Sequence, residues 1–204
     1  MTRPFELLET LRWAPPEGWY LLARHLARIE ESARYFRFNY PAAKIREALD
    51  RAVASSEAAL RLRLLLAADG TVRVEQAPLE LRDDAVRVRF ALDPIDPTDV
   101  FLFHKTTNRV IYERARRPHC DDVILWNPAG EVTESTVANL VVELAGRRVT
   151  PPIASGLLPG TMRAELLATG EVVEARVTVE QLKDAPRFWL VNSVRGWRRA
   201  ELVD

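Results

Sequence analysis

A lysine amine condenses with an aldehyde once it stands out of bulk water near other cations, where it gives up its proton. Lys105 is set for that role in His104-Lys105-Thr106-Thr107-Asn108-Arg109. The apolar run Val100 to Phe103 before it predicts an extended segment that ends at the lysine. Three later segments carry complementary chemistry. Gly156-Leu157-Leu158-Pro159-Gly160-Thr161-Met162-Arg163 puts glycine, proline, glycine and threonine at the predicted start of a helix. A helix start offers unpaired N–H groups and the positive end of the helix dipole, a natural phosphate cradle, and Thr161 adds a hydroxyl. The pattern is not a Walker loop, whose closing glycine-lysine pair occurs nowhere in the chain. Glu134 sits among Thr133, Ser135 and Thr136, small residues that leave room for a ligand beside the carboxylate. Buried, such a carboxylate holds a ring nitrogen protonated by charge pairing. Ser193 follows the apolar pair Leu190-Val191 and is positioned to direct a hydroxyl at the phosphate.

Each feature taken singly also fits a plain structural role: a solvated loop lysine, a turn and helix cap, a turn glutamate, a strand-end serine. Together, a lysine for an imine, a carboxylate for a pyridine nitrogen and a helix start for a phosphate describe one cofactor, pyridoxal 5′-phosphate (PLP).

The elements that must position these residues alternate between helix and strand. Glu6 to Trp13 reads as extended, and Pro15-Pro16-Glu17-Gly18 as a turn. Leu22, Leu26, Ile29, Ala33 and Phe36 mark one face of a helix within Tyr20 to Phe38, carrying Arg24, His25 and Arg28. A second helix starts near Pro41 with Ile45, Ala48, Leu49, Ala52 and Val53 inward. Leu60 to Ala67 and Thr71 to Gln76 pair across Asp69-Gly70, and Ala85 to Leu92 alternates as a third strand of the same unit. The prolines of Asp93-Pro94-Ile95-Asp96-Pro97 mark the domain boundary, giving a small α+β domain over 1–96 and a large one over 97–204 that carries the lysine. In the second part, a helix is expected from Asn108 to Arg116 and strands over Val123 to Trp126 and Ala138 to Leu144. A helix from Pro159 to Ala168 stops at Gly170, a strand spans Glu171 to Val177, Thr178 and Gln181 form a capping box, and Phe188 to Val191 is the last strand.

Balanced charge, with 29 Lys plus Arg against 29 Asp plus Glu, points away from a nucleic-acid partner. The single Cys120 excludes a disulfide framework and a thiolate metal cluster, and no metal ligand set stands out. Neither a signal peptide nor an apolar run of membrane-spanning length occurs, so a cytoplasmic setting without membrane attachment is expected.

The motifs His104 to Arg109, Glu134-Ser135-Thr136 with Asn139-Leu140, and Leu158-Pro159-Gly160-Thr161-Met162-Arg163 resemble those of the class IV aminotransferases. That family includes branched-chain and D-amino-acid aminotransferases and aminodeoxychorismate lyases. Glu9-Thr10-Leu11-Arg12 and Arg24-His25-Leu26-Ala27-Arg28 extend the resemblance over nearly the whole chain. It implies the two-domain α+β PLP fold of that family and a homodimer. It also implies that Lys105 bonds the cofactor and moves protons at the substrate carbon, and that Glu134 meets the pyridine nitrogen. Arg28, Thr161, the backbone of Met162 and Ser193 would hold the phosphate, with Leu158 packed on the ring. Arg109 stands where branched-chain enzymes have tyrosine and lyases have arginine, which favours an aminodeoxychorismate lyase that releases pyruvate and 4-aminobenzoate for folate synthesis. The alternative is a branched-chain or D-amino-acid transaminase. An aminodeoxychorismate synthase is the partner that the lyase reading implies. Arg195 joins Arg109 as a candidate for the small-molecule substrate's carboxylates, on its charge and position near Ser193. Family members begin with a strand pair ahead of the segment at Glu9, and its absence here would leave a sheet edge uncovered.

Overall fold

The computed structural model describes residues 4–81 and 84–204. The chain divides into two compact units, one of residues 4–81 with His104–Asn108, the other of residues 84–103 with Arg109–Asp204.

In the first unit, β1 (Leu7–Ala14), β2 (Gly18–Trp19), β3 (Leu60–Leu66) and β4 (Val72–Pro78) form an antiparallel sheet in the order β2-β1-β3-β4. Asp69 makes the β3–β4 turn by accepting from the Thr71 N–H at 2.8 Å. Helix α1 (Leu22–Phe36) and α2 (Ala42–Val53) supply Ile29, Ala33, Ile45 and Leu49 to a core shared with Leu7, Leu11, Leu64 and Leu66. These are the inward positions read from the periodicity. α1 ends where Arg37 turns left-handed and its N–H bonds back to Ala33 and Arg34.

The second unit contains β5 (Val86–Phe90), α3 (Val110–Arg114), β6 (Asp122–Trp126), β7 (Val132–Ser135), β8 (Asn139–Leu144) and β9 (Arg147–Thr150). It continues with α4 (Thr161–Ala168), β10 (Val173–Glu174), α5 (Val179–Asp184), β11 (Phe188–Asn192) and β12 (Gly196–Leu202). Its strands run in the order β10-β9-β8-β11-β12-β5-β6-β7. A further pairing of β7 with β8, at Glu134 opposite Asn139, closes β8, β11, β12, β5, β6 and β7 into a ring. Val88, Ile124, Val132, Leu140, Val142, Phe188 and Leu190 fill it. The Thr178–Gln181 capping box opens α5 as expected.

Five expectations change. Val86–Phe90 belongs to the second unit, not the first, because it pairs in parallel with β6 and β12; the division thus falls after residue 81 and not at 96/97. Lys105 conversely lies in the first unit. Val100–Leu102 is a 3-10 turn, not an extended run, because Asp99 caps it by accepting from the Phe101 N–H at 2.9 Å. The strand expected over 171–177 shrinks to Val173–Glu174, since the chain then leaves β9 and Thr178 bridges to Glu131 beside β7. Phe188–Asn192 is not the last strand, because Gly196–Leu202 pairs back on it.

Candidate active site

In the first unit, the lysine segment lies along β1. Leu8 donates to the Lys105 carbonyl at 2.9 Å, Thr107 donates to the Glu6 carbonyl at 2.9 Å, and Thr106 bridges to Leu7. Lys105 is half-buried. Its neighbour His104 has Nδ1 at 3.0 Å from the Ser32 hydroxyl and stacks on Tyr35 at 4.4 Å between ring centroids. Burial lowers the His104 imidazole below its ordinary value, with Glu31 opposing.

On the opposite stretch of β1, Glu9 shares the face of Leu7 and Leu11 and is only 1% exposed. Helix α1 meets it with His25 and Arg28, spaced three apart and therefore on one side of the helix. Arg28 donates from Nε and Nη2 to the two Glu9 oxygens at 2.8 and 2.6 Å, and His25 Nδ1 lies 2.7 Å from Oε2. Burial opposes ionisation of Glu9, yet the charges of Arg28 and His25 and their hydrogen bonds outweigh it and hold the carboxyl at about 2. The forked contact fixes the plane and direction of the Arg28 guanidinium.

In the second unit, Glu134 stands at the point where β7 meets β8, 3% exposed. Oε1 accepts from the Tyr112 hydroxyl at 2.8 Å and the Leu158 N–H at 3.2 Å, and Oε2 accepts from Asn139 Nδ2 at 3.2 Å. Asn139 Nδ2 also donates to the Leu158 carbonyl at 2.9 Å, tying the loop before α4 to the strand pair. Gly160 follows, the residue before the helix. A Cβ there would stand 1.9 Å from Asn139 Oδ1, a separation no side chain tolerates, so only glycine lets the helix start approach this strand. Gly156 begins the loop at φ +95°, with Pro97 Cα 2.8 Å from where a Cβ would stand. The first turn of α4 brings Thr161 and Met162, both buried, to the same loop.

Arg109 lies beside this cluster. Its guanidinium is 4.4 Å from the Tyr112 ring centroid and its Nη2 donates to the Thr136 carbonyl. Thr136 is in turn held by Asp122, which accepts from its hydroxyl at 2.6 Å and its N–H at 3.1 Å. Tyr112 is 7% exposed, and burial together with the Glu134 carboxylate pushes its phenol well above 10. Ser193 is buried in the turn between β11 and β12, while Arg195 in the same turn is exposed. The Asn192 side chain shapes that turn by accepting from the Val194 and Arg195 N–H groups.

The second unit thus bonds Glu134, Tyr112, Asn139 and Leu158 together, with Thr161 and Met162 following in the helix that this loop leads into and Arg109 beside Tyr112; Arg195 lies exposed in the β11–β12 turn. The first unit carries Lys105 and Arg28. Sequence reasoning assigned no role to Tyr112, Asn139, Glu9 or His25. Signals existed for some of them. Tyr112 is one helical turn from Arg109, and Glu9 sits on the face of two leucines, where an acid must find cations.

The profile of the amino-transferase class IV family matches residues 6–203. The chain belongs to this family. Its fold is the class IV aminotransferase fold. A crystal structure from Mesorhizobium loti, provisionally named an amino-acid aminotransferase, superposes with a TM-score of 0.92 at 37% identity, covering 98% of this chain and 100% of that one. A Schizosaccharomyces pombe protein, provisionally named an aminodeoxychorismate lyase, is 30% identical over 195 residues, 90% of this chain and 84% of its own. The PLP-bound form of a hypothetical aminotransferase from Mycobacterium tuberculosis superposes with a TM-score of 0.82 at 26% identity, covering 98% and 81%. The class IV chain is therefore an enzyme of lyase or aminotransferase type. Among its described residues, no helix is long and apolar enough to cross a membrane.

Proposed function

We propose that this class IV enzyme is a PLP-dependent aminodeoxychorismate lyase. The observation that carries the cofactor assignment is the buried Glu134, held by the Tyr112 hydroxyl, the Asn139 amide and the Leu158 N–H beside a helix start that a Cβ at Gly160 would block. An acceptor-only carboxylate and a glycine-lined helix start suit the pyridinium and phosphate ends of PLP. When bound, PLP supplies an electron sink conjugated to the amine-bearing carbon of the substrate. Lys105 would hold the cofactor and, once the substrate amine has taken its place, its freed amine would remove the proton from that carbon. Glu134 would keep the ring nitrogen protonated, Leu158 would lie against the ring, and Thr161, the Met162 N–H, Ser193 and Arg28 would hold the phosphate. Glu9 keeps the Arg28 guanidinium in one plane. Arg109 and Arg195 meet the substrate carboxylates. Loss of the proton drives out the enolpyruvyl oxygen, the ring becomes aromatic as 4-aminobenzoate, and the released enol takes up a proton as pyruvate.

Arg109, a fixed cation over the Tyr112 ring and bonded to the Thr136 carbonyl, favours the doubly acidic lyase substrate. On the same reading the enzyme is a cytoplasmic homodimer that receives its substrate from an aminodeoxychorismate synthase and supplies folate synthesis. A branched-chain or D-amino-acid transaminase is the second reading, favoured by the 37% identity to the Mesorhizobium loti protein. Incubating the PLP-loaded protein with aminodeoxychorismate, and separately with L- and D-amino acids plus a keto acid, separates them. Formation of 4-aminobenzoate with no amino transfer supports the lyase; amino transfer without 4-aminobenzoate replaces it with the transaminase.

A further inference from the structure

Tyr112 is a buried phenol that none of the roles above uses. Its hydroxyl donates to Glu134 Oε1 at 2.8 Å, a shorter contact than those from the Asn139 amide and the Leu158 N–H to the same carboxylate. Its ring lies under the Arg109 guanidinium at 4.4 Å. The Asn139 donor is an amide side chain and the Leu158 donor a backbone N–H. Both have a second task, since Asn139 also ties down Leu158 and the Leu158 N–H belongs to the loop that leads into α4.

Resting on the PLP reading of Glu134, we propose that Tyr112 is a positioning residue that sets the proton balance between Glu134 and the cofactor ring nitrogen. A proton shared between a carboxylate and a pyridine nitrogen lies on the nitrogen only while the carboxylate is the weaker base of the two. A donated O–H makes a carboxylate a weaker base. Tyr112 supplies that donor, and the positive charge above its ring polarises the O–H outward. The phenol remains a donor because burial and the carboxylate hold its own ionisation well above 10.

The test uses the full chain loaded with PLP carrying ¹⁵N at the ring nitrogen, read by NMR at neutral pH. In the wild-type protein the resonance is expected at the protonated pyridinium position. Tyr112→Phe keeps the ring under Arg109 and removes the hydroxyl. Its resonance at neutral pH is expected to move towards the unprotonated position, because a carboxylate that has lost a donor competes better for the shared proton. Incorporating 3-fluorotyrosine at position 112 provides the opposite arm, since a more acidic phenol is a stronger donor. Its resonance is expected to move the other way, further towards the protonated position than in wild type. A role confined to packing would move neither. Wild-type-like resonance positions in both proteins overturn the inference while leaving the PLP assignment standing. A wild-type protein that takes up no PLP overturns both.

Discussion

Replacing Glu9 by glutamine keeps the shape of the β1 side chain and removes its charge, leaving Arg28 and His25 facing a neutral amide in a buried setting. The carboxyl titrates at about 2 in the folded protein against 4.5 for a free glutamate. At about 1.4 kcal/mol per pH unit, that difference contributes about 3 kcal/mol to stability near neutral pH. The sign follows from the lowered value. The contribution is complete above pH 4.5 and disappears as the pH falls through 4.5 towards 2, with about 2 kcal/mol gone by pH 3. Removing one partner of a buried ion pair costs about 3–5 kcal/mol, so Glu9→Gln is expected to be destabilised by about that amount at pH 7. The gap from wild type should then narrow by about 2 kcal/mol at pH 3. Urea unfolding followed by tryptophan fluorescence, at pH steps from 7 to 3, measures both curves. Parallel curves, with the same gap throughout, would refute the account of how Glu9 is held.

Gly160→Ala forces a methyl group against Asn139 Oδ1, so the helix start or the amide must shift. PLP affinity measured by equilibrium dialysis is expected to fall about tenfold or more, and unchanged affinity would remove the phosphate-cradle role. Arg109→Tyr should retain PLP while losing lyase turnover by about a hundredfold in kcat/KM, the size of a lost charge contact in a buried site. Undiminished formation of 4-aminobenzoate would remove the reason for preferring lyase over transaminase.

Local patterns were the legible part of this chain. The period of Leu22, Ile29 and Ala33 located α1 and its inward face, and Asp69-Gly70 located a hairpin, because both signals lie within a few residues of each other. Sheet membership was not legible. The alternation of Val86, Val88 and Phe90 says which side chains share a face but not which strand lies alongside, and its neighbours β6 and β12 come from far along the chain. β12 escaped because Trp197-Arg198-Arg199 interrupts the alternation with long polar side chains. The reactive residues were readable by type and motif, whereas their supports were not. Tyr112 and Asn139 earn their contacts with Glu134 only when β7 meets β8 and α3 packs nearby, which no short-range pattern encodes. Glu9 lay between, since its parity with Leu7 and Leu11 already demanded a buried partner.

The chain contains three lysines, Lys44, Lys105 and Lys183, which allows a decisive measurement. The purified protein is incubated with PLP, reduced with borohydride to make the lysine–cofactor bond permanent, digested and mapped by mass spectrometry. The account predicts a phosphopyridoxyl group on Lys105, lost in Lys105→Ala. A modification spread over Lys44 and Lys183, or none on Lys105, would contradict it.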